Sequence, residues 1–225
     1  MNEIEIKELV TYLLKGDEVN SWNLIQKYIK GKESTFLYEN IVTRAMRYVG
    51  ELWEMNEISV ADEHVASNIF HLLISRFSLE RNGEERADHL GSDSRSKAML
   101  FCIEGEEHSL GAKMASSLFE EYDWDTRYLG ANLPINDAII YANKWRPDVI
   151  GISVSIVYNL PILLEFLKEI DRLDYDPEII LGGRITILYP MEKYCPDHVV
   201  ILKDLHSLRY LLDENKLCKP AHVIS

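Results

Sequence analysis

The stretch Ala98-Met-Leu-Phe-Cys-Ile103-Glu104-Gly105-Glu106-Glu107-His108-Ser109-Leu110-Gly111 decides how this chain is read. Its first six residues form an unbroken apolar run, the signature of a strand buried on both faces. From Leu110 the pattern turns helical, through Gly111-Ala-Lys-Met-Ala-Ser-Ser-Leu-Phe119. Between the two lies a polar loop with a histidine two residues after a carboxylate. In an open α/β sheet that loop sits at the carboxyl end of a strand, where ligands bind. A neutral imidazole there can ligate a metal, and a neighbouring carboxylate can hold its second ring nitrogen. Taken alone, Glu-x-His-x-x-Gly also describes a solvated loop.

Working outward, the same alternation continues to the C-terminus. Strands are expected at 98–103, 125–129, 148–153, 178–181 and 199–202, and helices at 110–122, 135–144, 159–172, 185–193 and 205–213. Strand–helix alternation implies a parallel sheet with helices on both faces. Right-handed crossovers then give a flavodoxin- or Rossmann-like doubly wound, five-stranded domain. Residues 3–81 read as helices throughout, with Gly16, Asp17, Gly31, Ser34 or Thr35, Asn56 and Ser59 as their stops and caps. Short connections make this a four-helix bundle. Residues 82–97 carry few apolar side chains and read as a linker. The expected organisation is therefore a bundle at 1–81, a linker at 82–97 and an α/β domain at 98–225.

Composition narrows the function. The chain has 225 residues, 47% of them hydrophobic, and a formal charge of −13. Scattered, outnumbered Lys and Arg argue against direct binding to nucleic acid or to acidic membranes. Cys102, Cys195 and Cys218 are far apart, which suits neither a disulfide framework nor a zinc site and fits a reducing compartment. The polar N-terminus does not read as a signal peptide, and no apolar run approaches the ~20 residues of a membrane helix. A cytoplasmic protein is expected.

Two further stretches end strands on the same edge as His108. Ser153-Val154-Ser155 closes the run from Val149, and Gly182-Gly183 closes Ile179-Ile-Leu181. In this order and spacing, the three resemble the cobalamin-binding domain of methionine synthase, the methylmalonyl-CoA mutase group and corrinoid proteins. That pattern is Asp-x-His-x-x-Gly, Ser-x-Leu, Gly-Gly; here Glu106 replaces the aspartate and Ser155 the leucine. The resemblance implies that His108 is the lower axial ligand of cobalt, displacing the cofactor's own dimethylbenzimidazole (base-off, His-on). It implies that Glu106 orients His108 and that Ser153 extends the hydrogen-bond chain. Ser109, Gly111, Ser155, Gly182 and Gly183 would line the slot for the nucleotide tail, since a bulky tail approaches backbone only where no side chain intrudes. Glu104 and Glu107 read as solvated, Asn132-Leu133-Pro134 as a loop bordering the corrin, and His71, His89, His198, His206 and His222 as surface or packed residues.

A second constellation lies in the helical half, at Trp53 and Glu63-His64. On its own Trp53 reads as core, Glu63 as a helix-dipole partner and His64 as solvated. In context, the pair resembles the helical cap of the CarH/LitR group of adenosylcobalamin photoreceptors. The resemblance places Trp53, Val60, Glu63 and His64 around the adenosyl group of adenosylcobalamin. The chain begins at the bundle, without that group's MerR-type DNA-binding region. Glu54 stands where the group's best-known members have a cobalt-capturing histidine, so a bis-histidine photoproduct lacks its second imidazole unless His64 supplies it. The resemblance implies a non-enzymatic light or B12 sensor in signalling or transcription regulation. It would act through a protein partner or a second copy of itself. Two alternatives stay open: a corrinoid carrier subunit for methyl transfer, and a B12-free flavodoxin-like module.

Overall fold

The computed structural model of the protein describes residues 1–82 and 95–217. It divides into two compact units, Met1–Glu84 and Glu85–Ser225. Most of the expected linker, with His89, lies outside the described residues, as do Cys218 and His222.

The N-terminal unit is helical. Helix α1 (Glu3–Leu14) is closed at its start by a reciprocal cap between Asn2 and Glu5. Helix α2 (Glu18–Ile29) is capped by Asp17, whose carboxylate accepts from the Asn20 amide at 3.0 Å, as its position suggests. The third helix departs from expectation. Neither Ser34 nor Thr35 caps it: α3 (Ser34–Leu37) starts after Glu33, and both residues are buried in its first turn. A π turn (Tyr38–Val42) follows, and α4 (Thr43–Glu54) completes the stretch. Asn56, at φ 58°, ends it. Ser59 then exchanges hydrogen bonds with Asp62 and opens α5 (Val60–Asn82). Leu9, Leu13, Trp22, Ile25, Ile41, Phe70 and Leu73 are buried in this unit. Burying each such side chain contributes about 1.5–3 kcal/mol, which is why the i, i+3/i+4 stripes dictate the bundle.

The C-terminal unit is a sheet of β1 (Lys97–Cys102), β2 (Asp125–Tyr128), β3 (Val149–Ser153), β4 (Glu178–Gly182) and β5 (Val199–Ile201). All pairs are parallel, in the order β2-β1-β3-β4-β5. This is the doubly wound flavodoxin-like order, with its reversal between β1 and β3. Helices α7 (Ile135–Trp145) and α8 (Leu160–Ile170) supply core residues on one face, against Phe101, Ile152 and Leu181. Helices α6 (Leu110–Glu121) and α10 (Leu205–Asp213) supply them on the other, against Leu100, Val149 and Ile180. One expected helix is cut short. Helix α9 (Arg184–Leu188) stops before Pro190, and only a 3₁₀ turn (Met191–Lys193) follows. Proline lacks the amide that a continuous helix needs.

Candidate functional site

The site lies at the carboxyl ends of β1 and β3, where the strand order reverses. The loop leaving β1 turns through Gly105 at φ 79°, a backbone that side chains disfavour. A Cβ there would also lie 3.2 Å from the Asn159 side-chain oxygen. The turn carries Glu106 inward, where it is fully buried. Glu104 and Glu107, on either side, are exposed as expected.

Every partner of the Glu106 carboxylate is a donor. Its Oε1 accepts from the His108 amide at 3.0 Å and lies 2.6 Å from His108 Nδ1. Its Oε2 accepts from Ser155 N at 2.8 Å, Ile156 N at 3.0 Å and Asn159 Nδ2 at 3.2 Å. Burial alone pushes this carboxyl upward, but the hydrogen bonds from His108, Ser155 and Ile156 outweigh it and hold it at about 2. The ionised carboxylate accepts only, so Nδ1 of neutral His108 carries the proton and the lone pair resides on Nε2. The His108 side chain is 51% exposed. A fixed imidazole with its basic nitrogen turned away from a buried anion is the donor expected for a metal centre. His108 offers one ligand rather than a cage; among the described residues no group of three or more His, Cys, Asp and Glu assembles. Cys102 is an inert neighbour: burial, then the Glu106 charge, push its thiol up to about 12.

Two asparagines tie the loops together. Asn132 accepts from the Gly105 amide at 2.8 Å and donates its own amide to the Glu106 carbonyl at 3.0 Å. Asn159 Nδ2 reaches both Glu106 and the Gly105 carbonyl, the latter at 3.3 Å. Among the hydrogen bonds to Glu106, the β3–α8 loop contributes Ser155, Ile156 and Asn159. Ser153 is instead buried beside Cys102 and Gly111. Sequence reading missed Asn159, which it placed only as the first residue of the helix expected at 159–172; the structure puts it at the N-cap instead. There it makes no side-chain cap bond. Replacing Asn159 with alanine is expected to destabilise the protein by about 1–2 kcal/mol, measured by urea unfolding, because the Gly105 carbonyl and Glu106 lose a buried donor.

Several residues expected to line the slot end strands or open helices at the same edge. Cys102, Ser153 and Gly182 are cross-strand neighbours. A Cβ on Gly111 would lie 3.3 Å from Ser153 Oγ, whereas one on Gly182 would meet nothing within 4 Å. The space over Gly182 is open, a cradle that a side chain would fill. Gly183 has a second reason to be glycine: its φ is 100°, and a Cβ would lie 2.4 Å from the Val154 carbonyl oxygen. Ser109 precedes the first turn of α6 and makes no side-chain cap bond.

In the N-terminal unit, Trp53 lies in the last turn of α4 and is 46% exposed, outside the buried core. Val60 is 51% exposed, Glu63 is half-buried and His64 is exposed. All four stand where α4 turns into α5. Of the remaining histidines, His198 pairs with Asp171 at 3.3 Å, His206 is exposed and His71 is half-buried.

An imidazole held by a buried carboxylate, at the carboxyl edge of a doubly wound sheet in a chain that also has a helical unit, defines a class of cofactor-binding protein. The donor set and the open cradle over Gly182 fit a large metal-bearing cofactor with a tail. Residues 96–209 match the family model described as B12 binding domain, and residues 5–76 match a second model of that description. The chain belongs to the B12 binding domain family. Dimethylamine corrinoid protein 1 of Methanosarcina acetivorans is 24% identical over 136 residues, 57% of this chain. The match spans 63% of that relative, under two thirds of its length. The structure of Methanosarcina barkeri monomethylamine corrinoid protein is similar, with a TM-score of 0.73 at 13% identity, covering 96% of this chain and 100% of that one. A chain of the methanol:cobalamin methyltransferase complex of Methanosarcina barkeri gives a TM-score of 0.51 at 12% identity, covering 96% and 80%. At these identities the two structures speak to the fold alone. The kinship with light-sensing regulators expected from Trp53 and Glu63-His64 receives no support from these relatives. No described helix is long and apolar enough to cross a membrane.

Proposed function

We propose that this protein is a corrinoid carrier, which holds cobalamin through His108 and presents it to a methyltransferase partner. The observation that carries this is the 2.6 Å contact between Glu106 Oε1 and Nδ1 of a half-exposed His108. When bound, the corrin supplies a cobalt centre on which a methyl group is carried. His108 Nε2 would hold that cobalt, in place of the cofactor's own base. Glu106 keeps the imidazole in the right tautomer and orientation. Ser109, Gly111, Ser153, Ser155, Gly182 and Gly183 would line the tail slot. In this reading the chain is a subunit that supplies the cofactor, and the catalytic surface belongs to its partner. The names of its relatives favour this over a sensor.

One observation keeps the sensor as a second reading. Exposed Trp53 and Val60 beside Glu63 and His64 offer an apolar wall with polar partners, which is what adenosine requires. Titration in the dark with methylcobalamin and adenosylcobalamin separates the two. A carrier binds the methyl form at least as tightly. A strong preference for the adenosyl form, with a light-triggered change in oligomer size, would overturn the carrier in favour of the sensor. Under either reading, Trp53→Ala should cost about 1–2 kcal/mol of stability, since about half of the side chain is buried. It should weaken the preferred cobalamin by about tenfold, read by the same titration.

A further inference from the structure

An asparagine at the start of a helix normally turns its side-chain oxygen to the first free amides. Asn159 holds that place before α8 and makes no such bond. Its side chain is buried, at 8% exposed, and directed elsewhere. Nδ2 donates to Glu106 Oε2 at 3.2 Å and to the Gly105 carbonyl at 3.3 Å. These two acceptors fix which way round the amide stands: turned over, its oxygen would face a carboxylate and a carbonyl. The side chain therefore joins the carboxylate behind His108 to the turn that delivers it, and α8 goes without a side-chain cap.

The two oxygens of Glu106 have separate duties. Oε1 accepts from the His108 amide and lies against Nδ1. Oε2 accepts from Ser155 N, Ile156 N and Asn159 Nδ2, all in the loop between β3 and α8. Two of these donors are backbone amides, which almost any residue would supply. Asn159 is the side chain among them. From the loop after β2, Asn132 (φ 54°) accepts from Gly105 N and donates its own amide to the Glu106 carbonyl. Glu106 N donates to the Ile103 carbonyl at 3.0 Å. All four backbone polar groups of Gly105 and Glu106 are thus taken, one of them by Asn159. The freedom left to Glu106 is rotation of its own side chain, and the bonds to Oε2 oppose it.

We propose that Asn159 is a positioning residue for His108: by tying the Glu106 carboxylate to the Gly105 turn, it tips the contest for cobalt toward the imidazole and away from the cofactor's own base. The inference rests on the corrinoid reading above and goes beyond it. The imidazole competes well only when Nε2 is already aimed, and Oε1 aims it through Nδ1. A carboxylate free to turn lets the ring turn with it, and ordering both then counts against His108.

The test uses the full chain, labelled with ¹⁵N-histidine and loaded with cobalamin in the cobalt(II) state. Electron paramagnetic resonance then separates histidine-ligated from base-ligated cobalt. Asn159→Ser keeps a good helix cap but is one bond too short to reach Glu106. Asn159→Leu keeps the bulk and has no donor. Each should lower the ratio of histidine-ligated to base-ligated cobalt by about tenfold. Affinity for cobinamide, which has the same corrin ring without the tail and its base, should fall by a similar factor. A ratio kept within about twofold of wild type by either folded variant would overturn the inference. Kept by the serine variant, it would make Asn159 a cap; kept by the leucine variant, a filler of space. Should one variant fail to fold, the other decides; failure of both would make Asn159 a residue of the fold and overturn the inference as well. Each of these outcomes leaves the His108 reading intact. If the wild type itself keeps the cofactor's own base on cobalt, that reading falls and takes the inference with it.

Discussion

Replacing Glu106 with alanine is expected to lower stability by about 3–5 kcal/mol and to move the thermal midpoint by on the order of 10 °C. The carboxylate is the common acceptor for His108 N, Ser155 N, Ile156 N and Asn159 Nδ2. Its removal strands these donors in a buried pocket, and each unsatisfied donor costs about 1–3 kcal/mol, though not additively. Glu106→Asp keeps the charge but draws it back by one methylene and should lose less. The pH profile is an independent check. The carboxyl lies at about 2 in the folded protein against an ordinary value of 4.5. A depressed value means that the stabilisation is complete above pH 4.5 and is lost as pH falls toward 2, by about 3 kcal/mol in all. Glu106→Gln cannot titrate, so this acid-side decline should be smaller in its unfolding curves.

Replacing His108 with alanine should instead spare the fold and remove the chemistry. The side chain is half-exposed and gives up one hydrogen bond, so stability should change by about 1 kcal/mol. Cobalamin affinity should fall by about 100-fold or more, beyond the 10–100-fold typical of losing a group behind a metal ligand. What still binds should show the absorption spectrum of cobalamin with its own base attached. Added imidazole should restore part of the His-ligated spectrum. Unchanged affinity and spectrum in the variant would show that the ring has no part in holding cobalt.

Much of this was legible in the chain, for identifiable reasons. Runs such as Ala98–Ile103 and Val149–Ser153 are apolar because central parallel strands are buried on both faces, and their alternation with helical stretches anticipates the β2-β1-β3-β4-β5 sheet. Caps at Asp17 and Ser59 were readable because capping is local. The misreadings have physical causes too. Ser34 and Thr35 look like caps, yet the helix begins one residue earlier and buries both. Pro190 cuts α9 where the apolar pattern alone suggests continuation. The partners of Glu106 lie some 50 positions downstream, and backbone amides donate irrespective of residue type, so no motif announces Ser155 N or Ile156 N. Asn159 was hidden because nothing near it in the sequence marks the carboxylate it meets, which lies 53 positions upstream.

The central claim is a nitrogen-to-cobalt bond from this chain, and isotope labelling tests it most directly. Protein grown with ¹⁵N-histidine is loaded with unlabelled cobalamin, reduced to the cobalt(II) state and examined by electron paramagnetic resonance. If His108 is the axial ligand, the nitrogen splitting of each cobalt line changes from a triplet to a doublet, because ¹⁵N has half the nuclear spin of ¹⁴N. If the lines remain triplets, the cofactor has kept its own base, and the account of this site is wrong.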